Sequence, residues 1–253
     1  MPEHDPDDLC RLAVELAEEA GALLLDGQDR VRTSVETKST GTDMVTEMDR
    51  ASERLIVDAL TRRRPDDGIL GEEGADRPGT SGVRWIIDPL DGTTNYLYGF
   101  PSYAVSIGVA IDGVPTAGAV HDPTHGETFT AIAGAGAFCN GRRLSVNQPP
   151  SLGQALVGTG FAYAAATRAE QAEVLRRVLP SVRDIRRAGA AAVDLCWVAA
   201  GRLDAYFERG LMPWDWAAGG LVAREAGAST MVAGDLHLAA PPHLFDELLV
   251  LVC

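Results

Sequence analysis

Apolar residues recur every three or four positions near the start of the chain. Leu9, Leu12, Ala13, Leu16, Ala17, Ala20, Leu23 and Leu24 form one face with acids between them, which predicts an amphipathic helix over 7–26. The polar stretch VETKSTGTDMVTE follows, too rich in Gly and Thr for a helix interior. A second amphipathic helix is expected from about residue 46 to 64, stopping before Pro65. DDGILGEEG then carries a short apolar pair to two glutamates between glycines. VRWII, YAVSIGVAI, VPTAGAV and ETFTAIA read as strands, with Asp112-Gly113 as a hairpin signal. Further on, Thr167-x-x-Glu170 looks like a capping box opening a helix closed by Pro180. An Ala-rich buried helix is expected over 189–201 and a strand at DAYFE. WDWAAGGLVAREAG reads as a helix with a glycine C-cap, and STMVA and ELLVLV as two final strands.

Strands and helices come in runs, without strict alternation. That predicts layered α+β packing and argues against a Rossmann fold or a TIM barrel. The chain reads as a single domain over 1–253, with a seam at Pro149-Pro150 between halves of about 1–148 and 149–253.

Composition narrows the function classes. At 253 residues, with 46% hydrophobic and 23% charged positions, the chain is an ordinary globular protein with enough length for a sizeable core. A net charge of −14 argues against a nucleic-acid partner, which needs clustered Lys and Arg. It remains compatible with an anionic substrate if metal ions stand between substrate and carboxylates. Cys10, Cys139, Cys196 and Cys253 lie far apart without a CxxC pair, so reduced, mostly buried thiols are expected. The acidic opening MPEHDPDDLC lacks an apolar stretch, and runs such as LLVLV are too short to span a bilayer. The expectation is a cytoplasmic protein with no membrane partner.

The candidate chemistry lies in acids at element ends: Asp43, Asp49, Glu72, Glu73, Asp88, Asp91 and Asp215. In WIIDPLDGTTNYLYG an apolar strand ends in two carboxylates around Pro-Leu, which could aim both at one point, and Asp215 falls in the first turn of its helix, where the dipole favours an anion. Two unit charges about 4 Å apart repel by ~1 kcal/mol in water and ~4 kcal/mol at an effective dielectric near 20, so a converging cluster needs cations. Oxygen donors without His or Cys select hard ions, Mg²⁺ first. Thr93 and Thr94 supply hydroxyls that can orient a water, the layout for metal-assisted attack on a phosphoryl group. On residue types alone, D-P-L-D-G reads equally well as a solvated turn, and GEEG as an exposed acidic loop.

A resemblance separates these readings. W-I-I-D-P-L-D-G-T-T-N-Y, with G-E-E, Asp43-x-x-Thr46-x-x-Asp49 and W-D-W-A-A-G-G-L-V-A-R-E-A-G, closely resembles the signatures of the inositol monophosphatase family of Mg²⁺-dependent, lithium-sensitive phosphatases. The motifs span nearly the whole chain in the family's order. The resemblance implies a layered α-β-α-β-α sandwich of the inositol monophosphatase and fructose bisphosphatase type. It implies two or three Mg²⁺ ions per site. Glu72, Asp88 and the Leu90 carbonyl would hold the first ion; Asp88, Asp91 and Asp215 the second; and Glu72 with waters a third. Thr93 and Glu72 would position the attacking water, with Asp49 supporting Thr93, and the amides of Gly92 and Thr93 would hold phosphate. Asp91, Gly189, Ala191 and Glu208 would face a polyol. Glu73, Asp43 and Lys38 would stand behind these groups, Lys38 on a loop near the phosphate.

The implied activity is hydrolysis of inositol monophosphates, the implied partner a small phosphate ester, and the implied assembly a homodimer. Ala190 stands where family members often carry threonine, a departure on the polyol side. Histidinol phosphate, fructose 1,6-bisphosphate and 3′-phosphoadenosine 5′-phosphate are the sibling substrates, and a non-catalytic metal-loaded module is the alternative class. Arg186 and Arg187 would suit a second phosphate, whereas Glu208 would not. His121 and His125 flank Pro123 in a hairpin turn and read as structural, and Trp85, Trp197, Trp214 and Trp216 as packing residues.

Overall fold

The computed structural model describes residues 4–28, the backbone of 35–37 and 44–46, and residues 47–253. Helix α1 (Pro6–Gly27) starts where Asp5 accepts the Asp7 amide hydrogen and proline takes the first helical position. Strands β1 (Val35–Thr37) and β2 (Met44–Thr46) pair antiparallel and lead into α2 (Glu47–Arg63).

A first sheet contains β3 (Gly68–Gly71), β4 (Asp76–Arg77), β5 (Val83–Asp91), β6 (Ala104–Ile111), β7 (Val114–Asp122), β8 (Glu127–Ile132), β9 (Gly136–Cys139) and β10 (Arg142–Arg143), with short α3 (Thr93–Tyr98) after β5. Its order is β10-β9-β8-β7-β6-β5-β3-β4, antiparallel except for the parallel β3–β5 pair. A second sheet contains β11 (Leu156–Thr159), β12 (Asp184–Arg186), β13 (Ala205–Arg209), β14 (Ser229–Ala233) and β15 (Leu236–Ala240), in the order β12-β11-β13-β15-β14. Its helices are α4 (Ala165–Val178), α5 (Ala191–Ala199), α6 (Pro213–Glu225) and α7 (Pro242–Val252). Pro149 and Pro150 lie on the connection between the two sheets.

The layers run α-β-α-β-α. One apolar cluster packs α1 and α2 on the first sheet around Leu16, Ile56, Trp85 and Ile107. A second places α5 and α6 between the sheets, with Leu195, Val222 and Tyr206 at its centre. A third covers the far face of the second sheet with α4 and α7, through Val178, Leu244 and Leu248. The middle layer sits close to the first sheet because Gly108 and Gly118 pair across β6 and β7. A Cβ on Gly108 would stand 2.6 Å from the Ala217 methyl, and one on Gly118 3.1 Å from the Ala218 Cα. Glycine facing alanine therefore sets how far α6, with Asp215 in its first turn, stands from the strand that ends in Asp88.

Three expectations are corrected. ELLVLV belongs to α7, because Leu244, Leu248 and Val252 are buried at helical spacing behind a proline start. The last strand is LHLAA, fully buried in β15, where an absence of alternation hid it. Thr167 does not cap α4: the helix begins at Ala165 with Ala164 at its N-cap and no side-chain cap.

Candidate active site

The first sheet delivers its carboxylates at one end of two parallel neighbours. β3 runs beside β5, and the pairing extends to the Glu72 amide donating to the Ile87 carbonyl, so GEEG and DPLD emerge together. Pairing of β5 with β6 shifts register between Asp88 and Asp91, the irregularity that turns both acids toward the same end. Asp88 Oδ1 accepts the Leu90 amide hydrogen at 3.0 Å, and Ser52 donates to the Pro89 carbonyl at 2.8 Å, fixing the turn from below. Gly92 then adopts φ 88°, and a Cβ there would lie 2.9 Å from the Ser102 carbonyl. Only glycine suits that corner. No side chain caps α3, and Gly92 and Thr93 at its start both line the cavity.

Thr93 Oγ1 lies 3.2 Å from Asp49 Oδ2 and 3.1 Å from the Leu90 carbonyl oxygen. Its single proton can serve one acceptor at a time, leaving lone pairs for a third partner. Asp91 reaches across to the second half of the chain, where its two oxygens accept the Ala191 and Ala192 amide hydrogens at 3.2 and 2.7 Å. It acts as the N-terminal cap that Ala190 cannot provide for α5. Asp215, at the third position of α6, accepts the Met212 amide hydrogen at 2.7 Å.

Asp88, Leu90, Asp91, Thr93 and Asp215 line one cavity of about 1000 Å³, together with Glu72, Glu73, Gly189 and Glu208. Asp88 and Asp91 are 1% and 8% exposed. Burial pushes the Asp88 carboxyl well above its usual range, and the charges of Glu72, Asp91, Asp215 and Asp49 push it further. Asp91 rises through burial and then Asp215. Asp215 is pushed up to about 7, first by burial and then, against the Met212 amide, by Glu72 and Glu208. Among the described residues, no group of three His, Cys, Asp or Glu side chains stands ready to hold a metal ion. Asp91 and Asp215 instead turn oxygens to the amides at the starts of α5 and α6, and Asp88 turns one to the Leu90 amide. The donor set nonetheless fits a hard dication: it is all oxygen, and its members raise one another's proton affinity, a repulsion that a divalent charge relieves.

On the far wall, Tyr206 and Glu208 share one face of β13, and the phenol donates a short hydrogen bond to Glu208 Oε2. Burial raises Glu208, while Tyr206 and Arg187 hold it down. Gly160 faces it so closely that a Cβ would fall 2.0 Å from Glu208 Oε2. Gly189 and Ala191 line the cavity, whereas Ala190 is buried in the core. Lys38 and Asp43 lie outside the described residues.

His121 and His125 are engaged elsewhere, with Thr128 at 3.0 Å and Asp122 at 2.7 Å. Trp85 is buried and donates to Asp67 at 2.9 Å, while Trp214 lies on the cavity wall. Cys10, Cys139 and Cys196 are buried free thiols, and Cys253 is exposed.

Sequence reasoning missed several contributors. Glu53 accepts the Glu73 and Ala75 amide hydrogens at 2.8 and 3.2 Å and so holds the GEEG turn. The signal was available, because Glu53 falls on the apolar stripe of α2 with Ser52, Ile56, Ala59 and Leu60. Asp194 is a buried acid of α5 near Asp91 and Glu208, and its carboxyl is raised well above its usual range by burial and then by Asp91.

The Inositol monophosphatase family model matches residues 5–243. The chain is similar to the protein named inositol-1-monophosphatase SuhB of Mycobacterium tuberculosis, 44% identical over 98% of this chain and 94% of the relative. It is also similar to Nus factor SuhB of Xylella fastidiosa, 44% identical over 93% and 85% of the two. The crystal structure of extragenic suppressor protein suhB from Bartonella henselae superposes with a TM-score of 0.92 at 36% identity, covering 97% of this chain and 98% of that one. The chain therefore belongs to the inositol monophosphatase family, a family of metal-dependent phosphoric monoester hydrolases.

Proposed function

We propose that this protein hydrolyses inositol monophosphates in a Mg²⁺-dependent reaction. One observation carries the reading: acids from three separate segments, Glu72, the Asp88–Asp91 pair and Asp215, meet in one cavity and raise one another's proton affinity. Glu72, Asp88, Asp91, Asp215 and the Leu90 carbonyl would hold two or three ions. When bound, such ions supply Lewis-acid polarisation of the phosphoryl group and a more acidic water.

The chain's own residues do the positioning. Thr93, fixed by Asp49 and Leu90, keeps a lone pair for the attacking water, and Glu72, on the same cavity, would help orient it. The amides of Gly92 and Thr93 receive phosphate oxygens at the uncapped start of α3. Glu208, held by Tyr206, accepts hydrogen bonds from polyol hydroxyls beside Gly189 and Ala191. Glu73 backs the metal side, and Lys38 and Asp43 are assigned to the loop side on the resemblance alone.

The acidic surface supports a small-molecule partner over a nucleic acid, and no helix among the described residues is long and apolar enough to cross a membrane. We place the enzyme in the cytoplasm as a homodimer inhibited by lithium, on the family resemblance. Phosphate release from inositol 1-phosphate, measured with and without Mg²⁺, tests the reading. Turnover that depends on Mg²⁺ supports it, and no turnover of any inositol monophosphate overturns it.

A further inference from the structure

A second, much smaller cavity of about 10 Å³ adjoins the main one, between α4 and the ends of β11 and β13. Glu208, Gly160 and Gln171 line both. The space suits a single water, provided that polar groups are there to hold it. Val174, Leu175 and Phe207 make the apolar part of the wall. Of the polar residues on it, Arg209 is already committed, donating to Asp235 at 2.7 Å and to the Val252 carbonyl at 3.0 Å. Gln171, Glu208 and Thr159 remain.

Gln171 is out of place on its helix. α4 is largely exposed, yet it buries this glutamine together with Val178. Gln171 Oε1 accepts the Ala162 amide hydrogen at 2.9 Å. An N–H donates only to the oxygen of a side-chain amide, so this bond decides which end is the NH₂ group. Nε2, at the other end, is sealed from solvent and has no hydrogen-bond partner among the described residues. A buried donor left so is costly, and a sealed one does not reach into the open main cavity. Glu208 is its complement. The Tyr206 phenol occupies Oε2, and among the described residues nothing donates to Oε1. The carboxylate lies over Gly160, where a Cβ would overlap both oxygens, so the missing side chain leaves it against the small cavity.

We propose that Gln171 is a positioning residue for Glu208, acting through one water in the small cavity: Nε2 donates to the water, and the water donates to Glu208 Oε1. Thr159, also on the wall, offers the water a further partner. The inference rests on the phosphatase reading above and adds the group that holds its polyol contact in place. With Tyr206 on one oxygen and the water on the other, the carboxylate is pinned from behind. Its remaining lone pairs are left for substrate hydroxyls on the main cavity. A substrate whose alcohol carries no hydroxyls gains nothing from the arrangement, so Gln171 sets a preference among esters without touching any of them.

The test compares inositol 1-phosphate with 4-nitrophenyl phosphate, which has no hydroxyls, in the wild type, Gln171→Glu and Gln171→Met. Glu keeps an oxygen for the Ala162 amide and removes only the donor; Met removes both. Assays near pH ~8.5 keep the new carboxyl ionised. Both variants should raise KM for inositol 1-phosphate about three- to tenfold, the range of one hydrogen bond, with kcat little changed. KM for 4-nitrophenyl phosphate should stay within about twofold. Wild-type crystals should show one water ~2.7–3.2 Å from both Gln171 Nε2 and Glu208 Oε1. An equal rise in KM for the two esters, as expected if Gln171 only braces the 160–163 segment, would overturn the proposal. So would an unchanged KM for inositol 1-phosphate in Gln171→Glu, or a wild-type map with no water between the two side chains. Absence of Mg²⁺-dependent turnover of either ester would instead overturn the underlying phosphatase reading, and the wild-type map would then decide the water bridge by itself.

Discussion

Asp91 Oδ2 accepts the Ala192 amide hydrogen at 2.7 Å, joining the last residue of β5 to the first turn of α5, 101 positions later in the chain. One carboxylate thus caps a helix in the second half of the chain while belonging to the acidic cluster of the first. The cavity is complete only when both sheets are docked, so site geometry depends on how the middle helical layer packs.

Gly108→Ala is expected to act at a distance. Its methyl would meet the Ala217 methyl and the α6 backbone, which cannot swing aside as a side-chain tip can. Overpacking of this kind costs ~1–3 kcal/mol. Thermal melts should show that loss, and turnover should fall as well because α6 carries Asp215. A variant with unchanged stability and unchanged turnover would mean that the Gly–Ala contact does not set the height of α6.

Gly160→Ala offers the contrasting case. The three atoms nearest the new methyl would all belong to the Glu208 carboxylate, the end of a side chain and not backbone. Displacing Glu208 from the buried Tyr206 hydroxyl should cost ~1–3 kcal/mol, while KM for a polyol phosphate rises with kcat little changed. A rise in KM shared equally by substrates lacking hydroxyls would argue against Glu208 as a polyol contact.

Asp88→Asn should abolish nearly all turnover yet stabilise the metal-free protein. The sign follows from proton linkage: the folded-state affinities of Asp88, Asp91 and Asp215 are raised, by burial first and by their neighbours next. Groups raised in this way contribute stability that is full below their unfolded value and lost as pH rises through the folded one. For Asp215 that window runs from 3.8 to about 7. Metal-free wild-type protein should therefore lose stability between these limits, and the gain from Asp88→Asn should be larger at pH 7 than at pH 4. Melting curves across that range, with and without Mg²⁺, check it. A variant less stable than wild type at pH 7 without metal would contradict mutual repulsion.

Thr93→Val removes the hydroxyl that Asp49 and the Leu90 carbonyl fix and is expected to lower kcat by ~10²–10⁴, the usual worth of a positioned proton-transfer partner. Thr93→Ser should retain most of the activity. Steady-state kinetics of the pair distinguish a positioned hydroxyl from a packing role, under which Val would be the milder change.

Much of the architecture could be read from periodicity and turn chemistry. The stripe from Leu9 to Leu24 became α1, Asp112-Gly113 the β6–β7 hairpin, and DPLDGTT the end of β5 with its glycine corner. Short apolar runs were less legible, since ELLVLV suits a buried strand as well as a helix, and only Leu244, upstream in the same stripe, shows the helical spacing. The hydroxyl–carboxylate contact between Thr93 and Asp49 spans 44 positions, and no local rule reports it. Glu53 was legible in principle, as an acid on an apolar stripe. Arg187 was not distinguishable from Arg186, because only the fold sends one to a surface ion pair and the other to the cavity.

The central claim is that these acids are tolerated together because divalent ions join them. The most direct measurement is anomalous diffraction from crystals soaked in Mn²⁺, a spectroscopically visible substitute for Mg²⁺. The account expects at least two peaks in the cavity, each ~2.0–2.3 Å from oxygens of Glu72, Asp88, Asp91 or Asp215. A clean map with no peak there, and those side chains still turned to Ala192, Met212 and one another, would contradict it.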